Sequence, residues 1–191
     1  MTISAKLFDA LDIQCAAFEK RKIKYALIGG VALSYLGHAR FTKDIDFIVQ
    51  IPQISLPGLL DELNQQGFEL DQSQAIRAWT QDKVLVLHFD GYRIDWLNPP
   101  LALYQHVIET AKEVIWKSKP ISVATPESMV LLKLIAFRDN DKSDIQALIA
   151  GFSEKLNLSY IESEWQTIGD LSDPPMQWFK EHYQQITTRS K

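Results

Sequence analysis

Two aspartates one residue apart, Asp44 and Asp46, lie in the otherwise apolar run DIDFIV. On an extended strand, alternate residues share a face, so the two carboxylates project side by side while Ile45 and Phe47 point the other way. Carboxylates held that close repel each other and need a cation, a proton or a basic partner. Upstream, Gly29-Gly30 separates a short apolar stretch from a short helical one. A glycine pair leading into a helix start leaves backbone N–H groups free for a phosphate. Metal-binding acids facing a phosphate cradle suggest phosphoryl or nucleotidyl transfer.

A third acid, Asp95, follows the dipeptide Asp90-Gly91, which favours a tight hairpin turn. If its strand lies beside that of Asp44 and Asp46, three carboxylates surround one or two metal ions. Mg²⁺ suits such all-oxygen donors together with substrate phosphates and water, and a pair of ions would serve both the attacking and the leaving oxygen. Otherwise Asp95 is a strand-end acid paired with Arg93 or Arg40. Arg40 suits a salt bridge and a phosphate equally well. Thr42 joins the acid face only if the strand begins early, and alternation turns Lys43 away toward solvent.

These groups must be positioned by the elements around them. Residues 3–22 place Leu7, Leu11, Cys15 and Phe18 at helical spacing, predicting an amphipathic helix with a basic end. A strand over Tyr25–Ile28, a helix over Val31–Leu36 and the Asp44 strand up to Pro52 follow. A helix is expected over Leu56–Gln66, a brief strand over Phe68–Leu70, and an edge strand over Ala75–Thr80. The hairpin Val84–Phe89 and Tyr92–Leu97, a helix over Leu101–Ala111, and a small β pair (Glu113–Trp116, Pro120–Val123) complete a mixed sheet. Thr125-Pro126-Glu127 signals a helix start, and the helix to Phe137 carries Lys133 among leucines. Burying an unpaired lysine is expensive, so Lys133 snorkels, pairs with an acid or faces a ligand cleft. Apolar spacing places the next helix over Lys142–Ala150, stopping at Gly151. Helices around Tyr160–Ile168 and Met176–Ile186, split by Asp173-Pro174-Pro175, end the chain. The fold class expected is α+β (α/β). A core over residues 1–124 carries a helical region, residues 125–191, packed on it as one unit.

Composition narrows the function. With 191 residues, 46% hydrophobic and 23% charged, the chain is long enough for a sizeable core. A net charge of −4 gives no global pull toward nucleic acid. The lone Cys15 excludes an internal disulfide framework, and its apolar surroundings suit a buried bystander. His38, His88, His106 and His182 show no metal-ligand spacing. No P-loop, G-x-G-x-x-G or G-x-S-x-G motif occurs. No apolar run is long enough to span a bilayer, and the first residues lack the order of a signal peptide. A cytoplasmic protein that keeps off membranes is expected.

The set Gly29-Gly30, Arg40-x-Thr42-x-Asp44-Ile45-Asp46 and Asp95 resembles the polymerase-β-like nucleotidyltransferase superfamily. Thr125-Pro126-Glu127, Lys133, Arg138 and DKSDIQAL (residues 141–148) further resemble the AbiEii-type nucleotidyltransferase toxins. The resemblance implies a nucleotidyltransferase fold, with Asp44, Asp46 and Asp95 as catalytic, metal-binding acids for Mg²⁺ (or Mn²⁺). It also implies transfer of NMP from an NTP donor, with nucleotide or phosphate contacts from Gly29, Gly30, Arg40, Thr42, Lys133 and either Asp141 or Asp144. The acceptor stays open among tRNA or other RNA, a protein and a small molecule, and an antitoxin protein is an expected partner. The alternatives are a non-catalytic nucleotide- or partner-binding module of the same fold and an aminoglycoside-type adenylyltransferase. Gly30 stands where many superfamily members have serine.

Overall fold

The computed structural model describes residues 5–38, 42–98, 101–117 and 119–189. Helix α1 (Ala5–Lys20) leads into strand β1 (Lys24–Ile28), helix α2 (Gly29–Tyr35) and strand β2 (Asp44–Gln50). Helices α3 (Leu56–Gln65) and α4 (Gln72–Arg77) precede the hairpin of β3 (Val84–Phe89) and β4 (Tyr92–Leu97). Helix α5 (Ala102–Thr110) and strands β5 (Lys112–Trp116) and β6 (Lys119–Val123) follow, and then helices alone: α6 (Pro126–Ala136), α7 (Asp139–Phe152), α8 (Leu158–Trp165) and α9 (Pro174–Arg189). The six strands form one sheet in the order β3-β4-β2-β1-β6-β5. β2 runs parallel to β4, and β1 parallel to β6; the other neighbours are antiparallel. The mixed sheet flanked by helices expected from the sequence is thus present.

The sheet's two faces differ because its central strands alternate. Ile45, Phe47, Ile94 and Trp96 are wholly buried on one face of β2 and β4. Phe18 of α1 meets Phe47 edge-on at 5.5 Å and Trp96 at 5.2 Å between ring centroids, a favourable aromatic arrangement. Trp96 donates its indole N–H to the buried Gln14 Oε1 at 2.5 Å, so neither polar group is stranded in the core. The intervening residues, Asp44, Asp46, Arg93 and Asp95, therefore face the opposite side.

The hairpin that delivers Asp95 turns through Asp90 and Gly91, both at positive φ (49° and 78°). That is the backbone of a primed two-residue turn, whose twist matches its strands.

Three expectations fail locally. Ala75–Thr80 is not an edge strand: it lies in α4 and the helical turn Ala78–Asp82 that continues it. Asp71 caps this helix by accepting from the Gln74 N–H at 2.8 Å, and the buried residues, Ala75 and Trp79, are four apart rather than alternate. Phe68–Leu70 reduces to a single bridge between Glu69 and His88. Helix α7 starts at Asp139, not Lys142, because the Asp141 carboxylate accepts from both the backbone N–H and the guanidinium of Arg138 at its start, and it runs past Gly151 to Phe152.

Helices α6 to α9 share one hydrophobic cluster with the sheet, from Leu7 through Met129, Leu148 and Ile161 to Phe179. Cys15 lies inside it, and burial pushes its thiol up to about 12, which suits a bystander. Among the described residues, no helix is long and apolar enough to cross a membrane.

Candidate active site

The polar face of β2 and β4 floors a cleft of about 810 Å³ whose far wall is α6 and the start of α7. In the parallel pairing, Asp44 lies beside Arg93 and Asp46 beside Asp95. Side chains on paired residues of neighbouring strands share a face, so the three acids reach one floor, as the hairpin suggested. Asp95 is also bound by its own strand: Arg93 donates Nε–H to Asp95 Oδ1 at 2.8 Å. Asp95 is thus an acid of the same floor as Asp44 and Asp46, with Arg93 as its ion-pair partner.

Gly29 sits at the head of the cleft at φ +67°, where a residue with a side chain is strained. A Cβ there would overlap the Asp46 carboxylate, so the glycine lets the backbone approach the acid. Gly29→Ala is expected to cost about 1–2 kcal/mol of stability from the backbone alone. It should also displace Asp46, so thermal melting and any activity should fall together. Gly30 does not line the cleft. It packs against Thr42, where an added Cβ would come within 2.8 Å of the Thr42 Cβ. Glycine in place of the superfamily's serine thus makes room for Thr42. The N-cap residue of α2, Ile28, is apolar and makes no side-chain cap hydrogen bond.

Thr42 precedes the strand rather than extending it. Its hydroxyl hydrogen-bonds the Asp44 backbone, at 3.2 Å to N and 3.1 Å to O, so it shapes the entry to the acid strand. Lys43 also precedes the strand; it is exposed, as expected, at the lining of the cleft. Arg40 lies outside the described residues.

Across the cleft, Lys133 is 7% exposed, and its buried ammonium is held by Asp144 at 2.6 Å and Asp141 at 3.2 Å. Of the three ways a mid-helix lysine can avoid burial unpaired, it combines two, pairing with acids and lining the cleft. Two of its three N–H donors go to the carboxylates, leaving one for a ligand. Asp141 also accepts from Arg138 Nε at 2.7 Å and from the Arg138 backbone N–H at 3.1 Å. Burial pushes the Asp141 carboxyl up, but the Arg138 hydrogen bond and the Lys133 charge outweigh it and hold the group below its ordinary range. Asp141 lines the cleft, whereas Asp144 stands behind Lys133, with His38 Nε2 at 3.7 Å.

The sequence pattern left two contributors out of the site. Arg138 lines the cleft mouth with its side chain largely exposed, and the Asp46 and Asp144 charges add to the pull of Asp141 on its guanidinium. Leu97, Tyr104, Met129 and Leu132 form an apolar wall beside the acids. The 129-132-133-136 spacing on α6 carried the signal for that wall, since those residues fall on one helical stripe.

The family model described as "Nucleotidyl transferase AbiEii toxin, Type IV TA system" matches residues 13–149. The chain belongs to this nucleotidyltransferase family. The matched span runs from α1 into α7 and contains Gly29, all three floor acids, Lys133, Asp141 and Asp144. No curated protein matches the chain. Solved structures of similar fold include the antibiotic-resistance factor ANT(2'')-Ia in solution (12% identity, 98% of each chain, TM-score 0.55). The same factor in complex with adenylyl-2''-tobramycin aligns at 13% identity over 94% of this chain and 99% of that one, TM-score 0.55. A nucleotidyltransferase-like protein from Paracoccidioides brasiliensis aligns at 16% identity over 93% of each chain, TM-score 0.50. At such identities the likeness is one of fold.

Proposed function

We propose that this member of the AbiEii family transfers a nucleoside monophosphate from an NTP to an acceptor hydroxyl, as the toxin half of a toxin–antitoxin pair. The observation that carries the reading is the single cleft uniting Gly29, Asp44, Asp46 and Asp95 with Lys133 and Asp141.

A divalent metal fits these residues. Mg²⁺ in nucleotide enzymes is held by one or two carboxylates plus substrate phosphates and water. Asp44 and Asp46 offer two hard oxygen donors on one strand face, and Gly29 keeps the space beside Asp46 clear. Among the described residues no three His, Cys, Asp or Glu side chains are grouped to hold an ion by themselves, so the donor set fits an ion completed by the nucleotide. Asp44 and Asp46 would hold Mg²⁺ (or Mn²⁺), with Asp95 as third acid. When bound, the ion supplies charge neutralisation at the α-phosphate and lowers the pKa of an attached oxygen.

The chain's own groups account for the remaining requirements. The acceptor oxygen attacks the α-phosphorus, the bond from that phosphorus to the bridging oxygen of the β-phosphate breaks, and pyrophosphate leaves with the bond's electrons. Asp95 takes the proton of the acceptor hydroxyl. The Gly29 backbone, Lys43, the free Lys133 N–H and Arg138 face the triphosphate, where charged donors bind phosphate oxygens most strongly. The apolar wall of Leu97, Tyr104, Met129 and Leu132 suits a base or sugar.

The test is incubation with each of the four α-labelled NTPs, Mg²⁺, and either tRNA or cell lysate. Label on a macromolecule or small molecule, lost on adding EDTA, is the expected result. If no NTP yields label on any acceptor and no pyrophosphate forms, the transferase reading fails. Growth arrest on expression, relieved by a co-expressed neighbouring gene, tests the toxin half separately.

A further inference from the structure

Arg93 belongs to no part of the motif, yet it stands at the centre of the acid floor. Strand alternation places Arg93, Asp95 and Leu97 on the cleft face of β4. Pairing with β2 sets Arg93 beside Asp44 and Asp95 beside Asp46. Three acids and one fixed cation thus form a compact patch, with neighbouring strands about 4.8 Å apart. The Arg93 side chain is half exposed while the Asp95 side chain is 21% exposed, and one Nε–H···Oδ1 bond of 2.8 Å joins them. Asp44 and Asp46 add their charge to the attraction that Asp95 exerts on the guanidinium.

A guanidinium on Asp95 weakens that carboxylate as a donor to a divalent ion, because both draw on the same negative charge. A triphosphate changes the balance. It offers Arg93 oxygens of higher charge in the planar, two-pronged geometry that guanidinium binds best. Resting on the transferase reading above, we propose that Arg93 is a positioning residue that holds Asp95, competes with the divalent ion for it, and surrenders it when a triphosphate takes the guanidinium in exchange. Metal and nucleotide then bind cooperatively through one side chain, and by linkage each raises the affinity of the other by the same factor.

The experiment is Mn²⁺ binding to the full chain, followed by electron paramagnetic resonance, for wild type, Arg93→Gln, Asp95→Asn and the double variant. Without nucleotide, Arg93→Gln should tighten Mn²⁺ about three- to fivefold, the range for a partly exposed charge pair. The gain should vanish in the Asp95→Asn background, since the double-mutant cycle isolates the shared carboxylate. Adding an NTP analogue with a non-hydrolysable α–β bridge should tighten Mn²⁺ in the wild type and do so less in Arg93→Gln. An equal gain in both backgrounds would mean only that a nearby charge was removed, and would overturn the proposal. So would unchanged or weakened Mn²⁺ binding by Arg93→Gln. Those outcomes leave the transferase reading standing, whereas a wild type that binds no Mn²⁺ with or without the analogue sinks both. Melting curves should confirm that the half-exposed substitution leaves the fold intact.

Discussion

Asp46→Asn should lower nucleotidyl transfer by about 10²–10³-fold, as the loss of one group aimed at a developing transition-state charge typically does. The exchange keeps the side chain's shape and removes only its charge. Asp46 is half-buried at the floor of the cleft, beside Asp95 on the neighbouring strand and one step from Asp44. Gly29 approaches so closely that a Cβ would overlap its carboxylate, so the backbone there is fitted to this side chain. The fold should tolerate the change. Removing one of several adjacent negative charges relieves repulsion, and the attractions it gives up toward Arg138 and Arg93 are partly exposed ones of at most about 1 kcal/mol each. Pyrophosphate release measured beside thermal melting separates the two effects. Full transfer by the variant would remove the acids from the reaction, and a collapse of the melting temperature would show that Asp46 holds the fold instead.

The floor of this site was legible in the sequence for a physical reason. Strand alternation has a period of two, so Asp44-Ile45-Asp46 and Arg93-Ile94-Asp95-Trp96 declare their faces without any tertiary information. The Asp90-Gly91 turn fixed the hairpin register for the same reason, through backbone angles that few other residue pairs adopt at low cost. What alternation cannot say is which strands become neighbours. The β2–β4 pairing that sets Asp95 beside Asp46 crosses α3, α4 and β3, and only the folded chain shows it.

The misread stretches share a different cause. Ala75–Thr80, with Ile76, Trp79 and Thr80, has the residue types of a strand, but the Asp71 cap commits it to a helix before those preferences count. The start of α7 was hidden likewise. Its cap comes from Arg138 and Asp141, outside the usual set of small polar N-cap residues. Partner choice was the hardest to read: Lys133 has two acids within reach, and sequence spacing alone leaves open which one a helix corner brings closest. The structure uses both, with Asp141 in the cleft and Asp144 behind.

That double pairing sets up the largest expected effect on stability. Lys133→Met should destabilise the fold by about 3–4 kcal/mol at neutral pH, because removing one partner leaves buried charge uncompensated. Lys133 is 8% exposed and both carboxylates 4% exposed by side chain, so water cannot replace the lost ammonium. Such a loss is a large part of the 5–15 kcal/mol that holds a typical domain together. The pH dependence follows from signs. In the wild type the Asp141 carboxyl lies below its ordinary range, so its stabilisation is present above the unfolded value of about 3.9 and is lost only as pH falls through the lower folded value. In Lys133→Met, Asp141 keeps Arg138 but loses the ammonium that helps outweigh burial, so its carboxyl moves upward from its wild-type position. The variant then loses less on acidification, and its deficit against wild type should shrink as pH falls toward the carboxylate range. Adding Asp144→Asn removes the acid that lost the ammonium 2.6 Å away, while Asp141 keeps Arg138 at 2.7 Å. The double variant should therefore regain most of the lost stability in urea titrations, yet not regain transfer, since its cleft still lacks the Lys133 donor. Equal stability of the single and double variants would show that the lysine's packing, not its charge, supports the corner between α6 and α7.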